Sequence, residues 1–324
     1  MPKIVWRAVS VGFGKETTRG TAVAPTSWFP KMNLSFEEKA DPILDESAIG
    51  NIVDASAHAI VKRYAQGEVG GILNVNAVSL ILYSLFGSVS SAVDTWVAYT
   101  HTFTLSNSNQ SPSLTISMDD AIQDYRFALS VIQKLTLKVE PGKFVEISCD
   151  FVGKKWATGT NTPAFVQDYP LKAGAVTLTF ATSIAGLTGA TSTAVIKNLE
   201  VTFERTISHE DSIDSIEPVD FISTVFKISG SFEASYEDEA SWKALALAWT
   251  TRSMRIKMID SAVTIGASSN PKLEMDFAKV AFTEWSRTTS TNEVVTQSVG
   301  FNALYSISDA QAVTARLTNL VTSI

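Results

Sequence analysis

The sequence predicts a mainly β protein with a minor helical share, built as two tandem β-sandwich or β-barrel domains, residues 1–160 and 161–324, each with one flanking helix. Three observations carry this. Short alternating apolar stretches are separated by Gly, Ser, Thr, Asn and Pro clusters, the mark of half-buried strands between turns. The blocks of the first half return in the same order in the second. Each half holds one segment with apolar residues at helical spacing.

The elements follow in order. IVWRAVSV from Ile4 opens the first half as AGAVTLTFATSI from Ala173 opens the second. NLSFEE from Asn33, with Leu34 and Phe36 alternating, returns as NLEVTFER from Asn198, with Leu199, Val201 and Phe203. An acidic loop containing Ile and Ser follows each, DPILDESAIGNIVD from Asp41 and HEDSIDSIEPVD from His209. After a strand containing Gly71 or Gly230 come the helical stripes, Val78, Ile81, Leu82 and Leu85, then Trp242, Leu245, Ala246 and Trp249. Asn76 and Asp238 are the expected caps and Gly87 the expected stop. Pro112, Leu114, Ile116 and Met118 are matched at one offset by Pro271, Leu273, Met275 and Phe277. The E-P-G-K turn at Glu140 predicts a hairpin between Leu135, Leu137 and Val139 and the strand of Val145, Ile147, Cys149 and Phe151. That last strand is echoed by Val295, Gln297, Val299 and Phe301, and residues 157–170 read as the linker.

A chain of 324 residues suits two domains of about 160, each large enough for its own core. No apolar run approaches the roughly 20 residues that span a bilayer, so no membrane partner is expected. The start, MPKIVWRAVS, lacks the features of a signal peptide, which points to synthesis in a cytoplasm. Up to Phe165 there are 15 acidic and 14 basic residues, and beyond it 18 and 12, so the net charge of −7 lies almost wholly in the second half. Glu210, Asp211, Asp214, Glu217 and Asp220 form one acidic cluster there, and Glu237, Asp238 and Glu239 another. Such clusters read as solvated loops or helix starts, or as an acidic surface that repels nucleic acid.

Catalytic motifs are missing from the sequence. GFGKETT from Gly12 has Val9 where a phosphate loop needs its first Gly, and Glu16 where it needs Ser or Thr. His58, His101 and His209 lie far apart with no partner at metal-ligand spacing, and read as solvent-facing or loop residues. Asp119, Asp120 and Asp124 lack the glycine turn and terminal Glu of a calcium loop. Cys149, alone and at an inward strand position, reads as a small core hydrophobe. No enzyme, cofactor, catalytic residue or metal ligand is expected.

The run at residues 12–30, GFGKETTRGTAVAPTSWFP, places Gly14, Glu16, Thr17, Gly20, Thr21, Ala22 and Pro25 ahead of the first long strand. With these residues it resembles the opening of the major tail tube proteins of long-tailed bacteriophages, especially those with non-contractile, siphovirus-type tails. The closing VTARLTN, residues 313–319, is similar in style. The resemblance implies two tail-tube domains in one chain. It further implies rings of three chains with pseudo-sixfold symmetry, stacked into a tube with an inner β-barrel and outer helices. The implied partners are copies of itself, a tape-measure protein, tail terminator and baseplate proteins, and double-stranded DNA in transit without sequence-specific binding. The implied place is the virion tail.

On that reading Glu68, Asn74, Ser229, Ser231, Glu233 and Ser235 face either the channel or the outer solvent. Asp41, Asp45, Glu46 and Asp54, with Glu210, Asp211, Asp214, Glu217 and Asp220, lie on arms that reach a neighbouring ring or on ordinary mobile loops. Trp6, Trp28 and Phe29 belong to an N-terminal arm and are core or contacts to a neighbour. Two other readings are a carbohydrate-binding or adhesin-like double β-sandwich, and another tail component such as a terminator, hub or baseplate ring. Against the first, most aromatics occupy core positions in the alternation.

Overall fold

The computed structural model describes residues 5–120, 122–191, 195–236, 242–288 and 294–324. The fold is mainly β. The first half contains β1 (Ser10–Lys15), β2 (Ser27–Phe29), β3 (Lys31–Leu34), β4 (Glu37–Asp45), β5 (Ala57–Ile72), α1 (Ser79–Phe86), β6 (Gly87–Thr95), β7 (Ala98–Leu105), β8 (Leu114–Asp119), β9 (Asp124–Val139), β10 (Glu146–Gly153) and β11 (Trp156–Thr158). The second contains β12 (Val176–Ala181), β13 (Ile196–Glu210), β14 (Asp220–Ser235), α2 (Trp242–Leu247), β15 (Arg252–Ile259), β16 (Lys272–Thr288), β17 (Thr296–Leu304) and β18 (Val313–Asn319).

All of these strands are linked by hydrogen bonds into one continuous sheet that folds over on itself. The folding-over is done by two long strands. The start of β9 pairs with β8, and its end pairs with β10. Likewise the start of β16 pairs with β15 and its end with β17. Bulges bend each strand from one layer into the other, as at the corners of orthogonally packed sheets. The irregularities fall at matching places. Between β9 and β10 the extra residue is Gln133, and between β16 and β17 it is Thr283, 150 residues on. Before that, β8 jumps from Leu114 opposite Ser130 to Ile116 opposite Phe127, and β15 from Arg252 opposite Val280 to Met254 opposite Phe277.

This register corrects one match made from the alternation. Leu114, Ile116 and Met118 occupy the place of β15, not that of Leu273, Met275 and Phe277, which begin the long strand β16. Alternation identifies a half-buried strand but carries no information about its partner. The other matched strands keep register: Leu34 lies opposite Val69 and Val69 opposite Cys149, as Leu199 lies opposite Phe232 and Phe232 opposite Val299.

The E-P-G-K hairpin forms as expected. The Lys143 N–H donates to the Glu140 carbonyl at 3.2 Å, and Gly142 has φ +76°, the left-handed value that a type II turn requires after Pro141. Gly87 ends α1 in the left-handed conformation, donating to the Tyr83 carbonyl. Asn76 is not the cap. Val78 stands at the N-cap of α1 without a side-chain cap bond, and in the turn before it the Asp168 carboxylate accepts from the N–H groups of Asn76 at 2.8 Å and Ala77 at 2.9 Å, while the Asn76 side chain donates to the Gln167 carbonyl. Asp238, the other expected cap, and the cluster at 237–239 lie outside the described residues.

Val78, Ile81, Leu82 and Leu85 are fully buried, but so is Phe86, and Leu80 is 7% exposed, because α1 packs against β6 and β7 as well as against β9 and β1. In α2 only Trp242 is buried. Trp249 lies past the helix end in a turn and is 73% exposed, which overturns its place in the stripe.

Residues 157–170, read as the linker, are anchored at Asn161, which accepts from Arg126 Nε and donates to the Met118 carbonyl, while Phe165 and Val166 stay exposed; just beyond it Leu171 exchanges backbone hydrogen bonds with Leu73 and Val145. The main core cluster also draws on both halves, with the Phe86 ring 5.8 Å from that of Phe203. Two separate cores would leave β9 and β13 as free edges; pairing them removes that liability.

The C-terminal strand is tied across the halves as well, since β18 pairs with both β16 and β7. Asn319 of β18, fully buried, donates to the Val75 carbonyl and Ser79 Oγ near the start of α1. Beside it lies His101, also fully buried rather than solvent-facing as its sequence context suggested. Its Nε2 sits 2.8 Å from the Val321 carbonyl and 3.1 Å from Asn319 Oδ1, both acceptors, so the proton is on Nε2 and Nδ1 accepts from Ser91 Oγ at 2.7 Å. Burial lowers the pKa of His101, and it also lowers that of His209. The sign follows from linkage: the contribution to stability is complete above the unfolded value, about 6.5, and is lost as pH falls from there through the folded value. The urea midpoint is therefore expected to drop between pH 7 and 5, with a shallower slope in His101→Gln. Equal slopes would show that His101 does not carry the effect.

Candidate functional site

Eight lanes of strand make the longest layer, in the order β3 with β4, then β5, β10, β9, β13, β14, β17 and β16. One face packs on the core through alternate residues such as Leu34, Val69, Cys149, Leu135, Phe203 and Phe232. The intervening residues make the other face, which is polar. Glu68 lies there opposite Asp150, Ser229 opposite Thr202 and Asn302, Ser231 opposite Glu200 and Gly300, Glu233 opposite Asn198 and Ser298, and Ser235 opposite Thr296. These five sequence-predicted residues share one surface. Asn74 does not: it is past the end of β5, buried, and donates to the Ile72 carbonyl.

From β5 to β17 this face carries six carboxylates, Glu68, Glu146, Asp150, Glu200, Glu204 and Glu233, against three lysines, Lys134, Lys138 and Lys227. Each lysine stands opposite a carboxylate. Lys134 is across from Asp150 and Glu204, Lys138 from Glu146 and Glu200, and Lys227 from Glu204. Lys138 also pairs with Glu140 at 2.6 Å, and the hydrogen bonds from Lys138 and Lys143 hold the Glu140 carboxyl down to about 2. Burial, then the nearby Glu68 charge, raises the pKa of Asp150. A surface of this sign, its cations already neighboured by anions, has little to offer a phosphate backbone.

Beyond the core, two hairpins project as ribbons. In the first, β4–β5, Asp41 lies opposite Lys62, and Asp45 shapes the turn by accepting from the Ser47 N–H at 3.0 Å; hydrogen bonds from the Ser47 side chain and then its N–H lower the Asp45 pKa. Glu46 and Asp54 are exposed at the tip, together with Ile49, Ile52 and Val53. The second ribbon, β13–β14, lies against the first half. Asp211 pairs with Lys62 at 2.6 Å, Glu217 with Lys155 at 2.6 Å, and the Arg63 N–H donates to the Ile216 carbonyl. Asp214 accepts from Ser212, and Glu210 is exposed at the end of β13. Asp220 is part of the fold: only 7% exposed, it accepts from Arg19 Nε and Gln110 Nε2, each at 2.7 Å.

Of the N-terminal aromatics, Phe29 is core and Trp28 packs its ring 6.2 Å from that of Phe165. Trp6 is half exposed, under the Lys31 ammonium at 4.9 Å. The opening motif has a clear structural role that alternation did not reveal. The Glu16 carboxylate accepts from the N–H groups of Gly20 and Leu129 and from the hydroxyls of Ser113 and Thr115. Arg19 reaches Asp220 and the carbonyls of Ser111 and Phe221, clamping the two halves together. Charged residues in a Gly/Thr-rich loop were the available signal.

Cys149 is fully buried, and burial pushes its thiol well up. Asp120 is occupied by the N–H groups of Ile122 and Gln123 in a turn, and Asp124 by that of Asn161. Among the described residues no group of three or more His, Cys, Asp and Glu side chains stands together as metal ligands do, and no helix is long and apolar enough to cross a membrane. In comparisons with known proteins, residues 6–303 match a family model described as phage tail tube protein. No curated protein matches the chain.

Proposed function

The chain belongs to the phage tail tube protein family, a structural component of the virion tail, and on that premise we propose that it is a tube domain written twice, three copies of which close a ring. Rings stack head to tail into the tube of a siphovirus-type tail, through which double-stranded DNA passes. The observation that carries this is the repeated pairing pattern joined at β9–β13 into one layer with an uncovered polar face. The bulges at Gln133 and Thr283, in the same register, support the duplication: independent origin would not place them alike. The hydrogen bonds of Leu171 with Leu73 and Val145 support a division between the tube domains near residue 172 rather than near 160.

In this reading the face bearing Glu68, Ser229, Ser231, Glu233 and Ser235 lines the channel, where its excess of carboxylates lets DNA slide without being held. The exposed tip of the first ribbon, with Glu46, Ile49, Ile52 and Asp54, is the arm that meets the neighbouring ring. The tape-measure protein occupies the channel before DNA does, and terminator and baseplate proteins close the ends. A heterologous interface that closes by rotation makes a ring. Negative-stain electron microscopy over a range of concentrations, with mass measurement of the smallest assembly, tests this. Hollow rings or filaments built on a species of three chains are expected; a monomer at every concentration would overturn the proposal.

A further inference from the structure

The eight-lane layer ends in two edges, the later part of β16 and the lane of β3 and β4. The structure contains, at β9–β13, one worked example of how such edges meet. Across the first half a row runs Leu34, Val69, Cys149, Leu135, each opposite the next. Across the second half the equivalent row runs Leu199, Phe232, Val299, Trp285. Within the chain Leu135, which ends the first row, lies opposite Phe203, four residues past Leu199. Carried to the free edges, Trp285 would lie opposite the residue four past Leu34, which is Glu38.

We propose that a second copy of this chain docks its β3–β4 edge antiparallel against β16 in this register, with Glu284 opposite Lys39, Ser286 opposite Glu37 and Arg287 opposite Phe36. This inference rests on the ring reading and specifies its interface.

The charges agree with the register. In the internal seam the position of Glu284 is held by Lys134 and that of Lys39 by Glu204, and these two face each other. Both signs are exchanged at the free edges, so the pair stays complementary. Opposite charges directly across a sheet stabilise it and like charges oppose it. A slip of two residues either way would set Glu284 against Glu37 or Asp41, both acidic, and a slip of one would turn the apolar face outward. On the other face Arg287 comes diagonal to Glu38, whose contact with Arg63 in the chain is long, at 3.9 Å. Both edges are open to solvent, since Glu37, Lys39, Glu284, Ser286 and Arg287 are all exposed. Uncovered strand edges of this kind invite another chain.

Cysteine pairs read the register directly, since Cys149 is fully buried and does not interfere. In the variant carrying Glu37→Cys and Ser286→Cys, mild oxidation of assembled rings is expected to give a covalent trimer on a non-reducing gel, lost on reduction. Pairing Ser286→Cys with Ser35→Cys or Lys39→Cys is expected to give far less. Preferential linking through Ser35→Cys or Lys39→Cys while rings form overturns the register and leaves the ring reading standing. Absence of any assembly of the unmodified chain overturns both. Charge exchange provides a second readout. Lys39→Glu or Glu284→Lys alone should raise the concentration for half-assembly by roughly fivefold, and the two together should restore it. No rescue in the double variant counts against the pairing.

Discussion

Replacing Asp276 with alanine is expected to lower the stability of the chain by about 3 kcal/mol. Asp276 sits in β16 at 1% exposure, where Arg255 of β15 donates from Nε at 2.6 Å and from a terminal nitrogen at 2.9 Å, and Arg316 of β18 donates at 2.6 Å. It joins three neighbouring strands. Glu274, 8% exposed, shares Arg316 at 2.9 Å, so one carboxylate remains when the other is removed. Breaking a buried pair costs about 3–5 kcal/mol because the partner is left charged and dry. The lower end applies here, since the Arg316 side chain is 36% exposed and water can reach it. Burial alone would raise the pKa of Asp276, but hydrogen bonds from Arg255 and then Arg316 outweigh it and hold it below the ordinary value. Its contribution is thus complete above the unfolded value, near 3.9, and lost as pH falls below that through the folded value. Urea unfolding at neutral pH measures the loss, and the gap between parent and Asp276→Ala should narrow in acid. A change under 1 kcal/mol at neutral pH would refute the argument.

Glu16→Ala should cost a similar amount, about 3 kcal/mol, by stranding donors inside the first half. Ser113, Thr115 and Leu129 are at most 4% exposed, and all lose their acceptor together. Leu129 has φ +52°, a left-handed value that costs a branched side chain energy. Its N–H bond to Glu16 helps hold it there, at the irregularity where β9 turns between layers. Glu16→Gln should recover only part of the loss, because its amide NH2 meets donors on the side where the second carboxylate oxygen accepted. Equal stability of Glu16→Gln and the parent would show that a neutral acceptor suffices. The same knot explains why a loop of Gly and Thr residues carries a carboxylate and an arginine: Arg19 secures the other half through Asp220.

Periodicity and turn chemistry were readable where the physics is local. Phe36, Val69, Cys149 and Phe232 face inward because side chains alternate along any strand, and Gly142 turns because Pro141 precedes a residue that must take positive φ. The failures were places where a distant element decides. Asn76 lies in a turn before α1 that Asp168, far along the chain, holds through its carboxylate, and the helix begins only after Val78. Trp249 followed its helical spacing on paper, but α2 ends at Leu247. His101 looked like a loop histidine until β18 folded over it.

The polar surface shows the same division. Alternation placed Ser229, Ser231, Glu233 and Ser235 together on one face of β14, and the structure adds Glu68 to that face through β10, β9 and β13. Asn74 fell away because β5 had already ended.

By itself the sequence determined the mainly β character, the hairpin at Glu140, the inward residues of its clearly alternating strands and the family to which its opening motif pointed, because all of these depend on neighbours within a few residues. Only the tertiary structure decided that β8 corresponds to β15, that both halves share one core, that the second ribbon is tied to the first through Lys62 and Arg63 while both tips stay exposed, and that, among the described residues, the long layer ends in two open edges. Those features are set by pairing and packing between segments far apart in the chain, and a strand's own alternation is the same whichever partner it finds.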